Sequence, residues 1–182
     1  VAAWLTNLAL LYRALVCSDE AERLLPQSLN FYREQLGERH PDVATVLNNL
    51  ALLYEAQGRY DEAEPLYQQS LEIRREQLGD RHPDVAQSLN NLAVLYREQG
   101  HYDEAESLYQ QSLNIYREQL GESHPDVATS LNNLASLYEV QERYDEAESL
   151  YQQSLEILRE QLGEQHPHVA TSLHNFTLLD QE

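Results

Sequence analysis

Four histidines are the first candidates for chemistry because they recur at a constant interval of 42 residues, at His40, His82, His124 and His166. Such a series suggests a ladder of metal sites. However, two ligands of one zinc ion, each ~2 Å from the metal, must lie within roughly 4 Å of each other. Segments in successive helical layers are separated by at least ~8–10 Å. We therefore expect these histidines to serve turns, and the sequence predicts no metal site and no cofactor.

Acidic DEAE runs begin at Asp61, Asp103 and Asp145, and they resemble paired catalytic carboxylates or calcium ligands. Each run lies where a helix is predicted to begin, and acidic residues favour the positive end of the helix dipole. The runs also lack the alternating ligand spacing of a calcium loop. No nucleophile elbow, Gly-rich phosphate loop or metalloprotease helix occurs in the sequence. The pattern therefore favours a chain that is not an enzyme.

A repeated block positions all of these residues. The sequence LNNLALLY at residues 47–54 returns as LNNLAVLY at 89–96 and as LNNLASLY at 131–138. Two further blocks, YDEAE and EQLG followed by HP, return at the same interval. Self-similarity at a fixed period of this length indicates a repeat array. The predicted units are a degenerate repeat 1 (1–40), repeat 2 (41–82), repeat 3 (83–124), repeat 4 (125–166) and the first helix of a truncated repeat 5 (167–182).

Each repeat is predicted to contain two helices. In repeat 2 the first helix covers about 41–57 and has a broad apolar side, and the second covers about 61–78, because apolar residues recur at helical spacing. Proline suits the first helical position and glycine suits the residue after the last. Glu142 replaces this glycine after the first helix of repeat 4. Pro26 lies well inside a predicted second helix, where proline costs ~3 kcal/mol or more, so we expect a kink there.

Charge excludes several classes of partner. The 182 residues have a formal net charge of -19, and all 12 basic residues are arginine. Nucleic acid and anionic membrane surfaces require a basic face, so neither is an expected partner. No apolar run approaches the ~20 residues needed to span a bilayer. The single cysteine, Cys17, cannot form an internal disulfide, so we expect a cytoplasmic protein. Both ends fall inside repeats, so we interpret the chain as a segment of a longer array.

The repeat resembles the tetratricopeptide repeat (TPR), through Ala51, Tyr54, Ala63 and Tyr67 in repeat 2. The period of that repeat is usually shorter, at about 34 residues. The 42-residue form, with LNNLA, LEIRRE and LGxxHPDVA, is similar to the repeats of kinesin light chains and their bacterial relatives. The resemblance implies an all-α fold, a right-handed superhelical solenoid of antiparallel helix pairs. It also implies that the first helices line a concave groove that captures extended peptides.

In that family, asparagines of the first helix hold the peptide backbone. Asparagine is a mediocre helix former, so adjacent pairs inside helices lose stability unless their amides bond something. Two interpretations are open: the amides bind a ligand, with Asn48 and its equivalents the better candidates, or one of each pair bonds to the next repeat. The candidate peptide-binding residues are Asn48, Asn49, Leu52, Glu55, Gln87, Asn90, Asn91, Val94, Arg97, Thr129, Asn132, Asn133, Ser136 and Glu139.

These observations predict a non-catalytic scaffold that binds a protein or an extended peptide. A neutral or basic partner is expected because the chain is strongly acidic. The alternative is a sensor or scaffold array within a larger bacterial signalling protein, for example an NTPase. Apolar sides of the terminal segments 1–15 and 169–179 lack a covering repeat, which predicts weak self-association.

Overall fold

The computed structural model describes residues 18–179, and this part of the chain consists of helices joined by short turns. In the repeat 2 region the helix limits lie within one residue of those predicted. None of the helices in the described range has the length and hydrophobicity needed to cross a bilayer. The helices of this range are α1 (Ser18–Leu36), α2 (Pro41–Ala56), α3 (Tyr60–Leu78), α4 (Pro83–Glu98), α5 (Tyr102–Leu120), α6 (Pro125–Val140), α7 (Tyr144–Leu162) and α8 (Pro167–Leu179). The even-numbered helices are the first helices of the predicted repeats, and the odd-numbered helices are the second helices.

The predicted repeat 1 lies partly within the described range. Its first helix and most of the following turn precede residue 18, so they lie outside the described residues. Its second helix, α1, includes Pro26 and continues on both sides of it without interruption. A bend at Pro26 stays a prediction.

Histidine side chains cap the first helices. The Nδ1 atom of His40 accepts a hydrogen bond from the backbone N–H of Asp42 at 3.1 Å, and His82 and His124 make the same contact. His166 accepts from the backbone N–H of His168 at 3.3 Å. The capped N–H has no partner within the helix, so the cap satisfies it. The predicted role of these histidines in turns is confirmed. Among residues 18–179 no group of three or more His, Cys, Asp or Glu side chains is arranged to hold a metal ion.

A residue with positive φ follows the first helix in each of repeats 2, 3 and 4. Gly58 has φ of 73° and Gly100 has φ of 81°, and the N–H of Arg59 then bonds back to the carbonyl of Tyr54 at 2.9 Å. This six-residue hydrogen bond is the Schellman motif, which needs a left-handed residue that glycine adopts without strain. Glu142 occupies the same place after α6 with φ of 60°. The turn is therefore retained there, although Glu142 adopts a left-handed conformation that is strained for a non-glycine residue.

A buried serine joins the two helices of a repeat. Ser70 on α3 donates its hydroxyl to the carbonyl oxygen of Ala44 on α2 at 2.8 Å, and Ser154 on α7 donates to Ala128 on α6 at 2.7 Å. All four residues are almost completely buried. Only small side chains permit such a close approach of two helices, so the recurrence of alanine and serine at these positions has a direct packing cause.

The chain divides into two compact units, Val1–Leu95 and Tyr96–Glu182, and the division falls inside α4. In the first unit, apolar residues of α1 and α2 pack with Ile73 of α3. In the second unit, Ala128 of α6, Leu155 and Leu158 of α7 and Val169 of α8 form a buried cluster. Each unit therefore has a core made from successive helices.

We predict that Glu142→Gly stabilises the protein by about 1 kcal/mol, because a left-handed conformation costs a non-glycine residue roughly 1–2 kcal/mol and glycine loses part of that gain to chain entropy. Chemical denaturation of the variant and the parent measures the difference. Gly58→Glu is the converse control. A Cβ added at Gly58 would meet no atom within 4 Å. The loss of stability expected for Gly58→Glu therefore comes from the backbone conformation alone. A less stable Glu142→Gly protein would contradict this account of the turn.

Candidate peptide-binding surface

One asparagine pair joins two first helices. Asn91 on α4 donates its Nδ2 to the Oδ1 of Asn48 on α2 at 3.0 Å. Asn48 and Asn49 are buried, with 5% and 8% of their surfaces exposed. The interpretation in which an asparagine bonds across to the next repeat is therefore confirmed for this pair. A ligand would reach Asn90 and Asn91, which are half-buried, more easily than Asn48, the candidate that the sequence favoured.

The fourteen candidate residues differ in accessibility, and they are divided between the two compact units. Among them only Gln87 and Thr129 are exposed. Asn48 and Asn49 are buried, and the other ten side chains have intermediate exposure. In the first unit these are Leu52, Glu55, Asn90, Asn91 and Val94, and in the second unit they are Arg97, Asn132, Asn133, Ser136 and Glu139.

Two candidate carboxylates accept hydrogen bonds from buried tyrosines. The hydroxyl of Tyr67 donates to Glu55 at 2.6 Å, and the hydroxyl of Tyr151 donates to Glu139 at 2.8 Å. Burial, followed by the hydrogen bond to Glu139, raises the pKa of Tyr151 above its ordinary value. A buried hydroxyl without an acceptor would cost about 1–3 kcal/mol, so these carboxylates stabilise the fold as well as charging the surface. The sequence did not indicate this role.

Arginine replaces glutamate at the equivalent position of α4. Arg97 donates one guanidinium nitrogen to the hydroxyl of Ser136 at 3.0 Å and another to Glu98 at 2.6 Å. Arg97 and Ser136 are both candidate residues, and the second unit brings them together. Because Glu98 neutralises Arg97, this arginine adds little positive charge for an acidic ligand.

Arg74 was not among the residues predicted from the sequence. It is buried on α3, and one of its nitrogens donates to the carbonyl oxygen of Asp84, to Oε1 of Gln87 and to the hydroxyl of Ser88, at 2.8 to 3.1 Å. The candidate Gln87 is therefore engaged by the protein itself. A signal was available in the sequence, because the equivalent positions one and two repeats later hold Tyr116 and Leu158. This position therefore differs from repeat to repeat, unlike the recurring blocks around it.

In the second unit, Asn132 differs from the paired Asn48. Its Oδ1 is buried and accepts no hydrogen bond. The side chain lines a cavity of about 250 Å³ between α6, α7 and α8. Thr129 lines the same cavity, and its hydroxyl donates to the carbonyl of Pro125 at 3.1 Å. Asn132 thus has a side chain beside an accessible space, while its amide oxygen is covered and unpaired.

Arginine clamps lie in the turns after α2 and α6. Arg59 bonds Glu22 at 2.6 Å and Glu62 at 2.7 Å, and its guanidinium lies 4.0 Å from the ring centroid of Tyr54. Arg143 makes the equivalent contacts with Glu106, Glu146 and Tyr138. The hydrogen bond from Arg59, followed by one from Gln57, lowers the pKa of Glu22 from its ordinary value, and Arg59 also lowers the pKa of Glu62. Each clamp joins the second helix of one repeat to the turn that precedes the second helix of the next repeat.

The repeated helix pairs and these contacts define a TPR-type α-solenoid, a class of protein-interaction fold. The chain belongs to the tetratricopeptide repeat family, because the family model matches residues 1–76, 42–118, 102–159 and 126–182. Membership confirms the predicted all-α fold of TPR type. No curated protein sequence matches the chain.

Solved structures of kinesin-light-chain type are similar to this chain. The structure of BtubC (BKLC) from P. vanneervenii has a TM-score of 0.83 and 27% sequence identity, and the match covers 97% of this chain and 70% of that one. Two structures of a putative kinesin light chain with nearly identical TPR-like repeats from Podosopora anserina, one of them a variant, have TM-scores of 0.79 and 0.80 and 29% identity. Their matches cover 98% of this chain and 85% and 84% of those chains, respectively. The predicted resemblance to kinesin-light-chain-like repeats is confirmed.

We predict that Arg59→Gln destabilises the protein at neutral pH and that the difference shrinks on acidification. The folded-state pKa values of Glu22 and Glu62 are depressed, so their contribution is present above about pH 4.5 and is lost as the pH falls through the lowered values. Urea unfolding of both proteins between pH 7 and about pH 3 measures this. Arg23→Gln is a control, since Arg23 is exposed and pairs with Glu20 inside its own helix. If the difference in unfolding free energy between the two proteins stays constant over this pH range, the proposed role of Arg59 is contradicted.

Proposed function

We propose that this chain is a non-catalytic scaffold that binds an extended peptide or a segment of a partner protein through its first helices. The half-buried asparagine side chains that recur on the first helices, at Asn90, Asn132 and Asn133, carry the proposal. An amide side chain has both donors and an acceptor, so it can pair with the N–H and the carbonyl oxygen of a peptide backbone. Peptide backbones offer these groups at regular intervals, and an extended backbone has none of its donors engaged internally. TPR arrays generally mediate protein interactions, which supports this use of the surface.

Half-buried apolar side chains would hold the side chains of the peptide. Leu52 on α2 and Val94 on α4 each lie four residues after an asparagine of the first unit, on the same helix face. In the second unit, Ser136 lies four residues after Asn132. An alternation of amide and apolar or small contacts suits a peptide backbone with spaced side chains.

The charge of the chain supports a neutral or basic partner. The sequence contains 31 acidic residues against 12 arginines. Glu55 and Glu139 accept hydrogen bonds from tyrosines, and Arg97 is paired with Glu98. The field around the protein would therefore repel an acidic peptide before contact and attract a basic one, an effect that salt weakens.

We predict that replacing Asn90 and Asn132 with Ala weakens peptide binding by ~1–3 kcal/mol for each hydrogen bond removed. Fluorescence titration against peptide pools of matched length and of acidic, neutral or basic character measures the affinity. Asn30→Ala with Asn114→Ala is the matched control, because these asparagines are exposed on second helices of the two units. Melting curves verify that each variant is folded. Tighter binding of the acidic pool, or full affinity of the Asn90 and Asn132 variant, would contradict the proposal.

A second proposal concerns association between two copies of the chain through α8. Leu173 on this helix is 39% exposed, and exposed apolar patches tend to find partners. Self-association was also expected through residues 1–15, which lie outside the described residues. Light scattering over a range of concentrations should show weak association that Leu173→Glu reduces. Val140→Glu is the control, since Val140 is 51% exposed at the end of α6. A strict monomer at high concentration would rule this association out.

A further inference from the structure

An open groove of about 270 Å³ lies between α5, the turn after it and α7, within the second compact unit. Its polar wall includes Glu156 and Glu160, which are one helical turn apart on α7 and therefore lie on the same face of the helix. Both side chains are exposed. Within residues 18–179 neither of them forms a hydrogen bond or an ion pair. The groove therefore presents two adjacent carboxylates to a ligand.

The first unit shows what these carboxylates bind two repeats earlier. Glu72 on α3 is the equivalent of Glu156, and likewise Glu76 is the equivalent of Glu160. In the turn after α1, Arg39 donates one guanidinium nitrogen to Glu72 at 2.8 Å and to Glu76 at 2.9 Å. This pair of positions therefore binds a guanidinium where the chain supplies one.

Serine replaces this arginine in the second unit. Ser123 has the place of Arg39 in the turn after α5, and among the described residues its side chain has no bonding partner. The turn between these two repeats has Arg81 at this position. The apolar floor differs as well, because Ile73 is completely buried whereas its equivalent Ile157 is half-buried. The second unit thus has the carboxylates of the first unit and a small neutral residue in place of the cation.

The arginine that lines the groove is already paired. Arg117 on α5 forms an ion pair with Glu122 at 2.8 Å. Its equivalent in the first unit, Arg33, forms the same ion pair with Glu38 at 2.8 Å. Because the first unit accommodates Arg33 and Arg39 together, Arg117 does not prevent a further guanidinium from binding beside it.

We propose that this groove, called here the Glu156 groove and formed around Ser123, Leu131, Glu156, Ile157 and Glu160, binds the guanidinium of an arginine from a basic segment of a partner protein. The inference goes beyond the proposed function, because it places a second contact on α7 and does not depend on the asparagines. Guanidinium has five N–H donors, so it bonds both carboxylates together. The apolar stem of the arginine packs along Leu131 and Ile157. The net charge of -19 attracts such a segment from a distance.

A divalent cation and a lysine are the competing occupants. Calcium takes six to eight oxygen ligands, of which two glutamates on one helix provide only a part. In residues 18–179 no group of three or more His, Cys, Asp or Glu side chains is arranged to hold a metal ion. Lysine carries a compact and strongly hydrated charge, whereas arginine is more weakly hydrated and has a planar fork of donors. The groove therefore favours guanidinium.

Three tripeptides test the groove: acetyl-Gly-Arg-Gly-amide and its lysine and citrulline analogues, of which citrulline has nearly the shape of arginine without the charge. Binding at low salt is followed by amide shifts in two-dimensional NMR. Exposed ion pairs are individually weak, so two of them should give arginine an advantage of about fivefold over citrulline. The shifts should centre on Ser123, Glu156 and Glu160, and added salt should reduce the advantage.

Four results would overturn the proposal. These are the absence of shifts at the groove, shifts centred elsewhere, equal binding of arginine and citrulline, and lysine binding as tight as that of arginine. Calcium chloride is titrated in parallel. If calcium shifts the amides of Glu156 and Glu160 and the arginine peptide does not, the groove is a metal site and the proposal is wrong.

Neutral substitutions test the carboxylates. Glu156→Gln with Glu160→Gln keeps the shape of the groove and should abolish the advantage of arginine over citrulline. The matched control is Glu104→Gln with Glu148→Gln, because these exposed glutamates also lie on α5 and α7 but outside the groove lining. Both variants change the net charge by the same amount. An equal loss in both would assign the effect to the general field of the protein and refute the groove.

An internal arginine tests the geometry. Ser123→Arg should pair with Glu156 and Glu160 as Arg39 pairs with its two glutamates, and weaken binding of the arginine peptide about fivefold. Gln165→Arg is the control, because it adds the same charge at the equivalent position of the turn after α7, outside the groove lining. Melting curves verify that both variants fold. Unchanged binding in Ser123→Arg would contradict the proposal.

The reciprocal substitution gives an independent result. Arg39→Ser removes the guanidinium from the first unit and should create a second site for the arginine peptide, with shifts at Glu72 and Glu76. The variant with Asn90→Ala and Asn132→Ala should keep its preference for arginine, because neither asparagine lines the groove. If that variant loses the peptide pools and keeps the arginine site, the two surfaces are independent. If it loses the arginine site as well, the Glu156 groove is refuted.

Discussion

The close crossing of the two helices within a repeat is the constraint on which the other contacts depend. It is visible in the hydrogen bonds from Ser70 to the carbonyl of Ala44 and from Ser154 to that of Ala128. A larger residue at any of these positions would separate the helices and leave the buried hydroxyl or carbonyl poorly paired. Asn48 and Asn132 lie one helical turn after Ala44 and Ala128, so the crossing also determines how deeply these asparagines are buried. The candidate surface is a consequence of this packing.

Departures from the repeat pattern distinguish one repeat from the next. The histidines before the first helices recur at every repeat boundary and cap those helices. Arg74, Tyr116 and Leu158 occupy one repeat position with three different chemistries. They produce a bonded guanidinium, a buried ring and a cavity wall. A chain of nearly identical repeats thus acquires locally different interiors through substitution of one side chain.

Arginine is used mainly to join parts of the protein together. Arg59 and Arg143 each bond two carboxylates and lie over a tyrosine ring, and Arg39 bonds Glu72 and Glu76. Because these guanidinium groups are paired, they contribute little free positive charge, and the acidic residues in excess set the sign of the field. A basic partner would then be attracted over a distance of about a Debye length before specific contacts form.

The sequence alone determined the helical fold, because a regular repeat period, apolar residues at helical spacing and proline and glycine at helix limits are local signals that tertiary contacts reinforce. The helix limits and the role of the histidines in turns followed from these signals. The asparagines were recognised as unusual, but their partners depend on neighbours that belong to other repeats. Only the tertiary structure showed that Asn91 bonds Asn48 while the oxygen of Asn132 has no partner. Likewise, Ser123 appears as an ordinary turn residue in the sequence. Its lack of a charge matters only because Glu156 and Glu160 of α7 line the same groove, and distances between helices are set by packing rather than by local pattern.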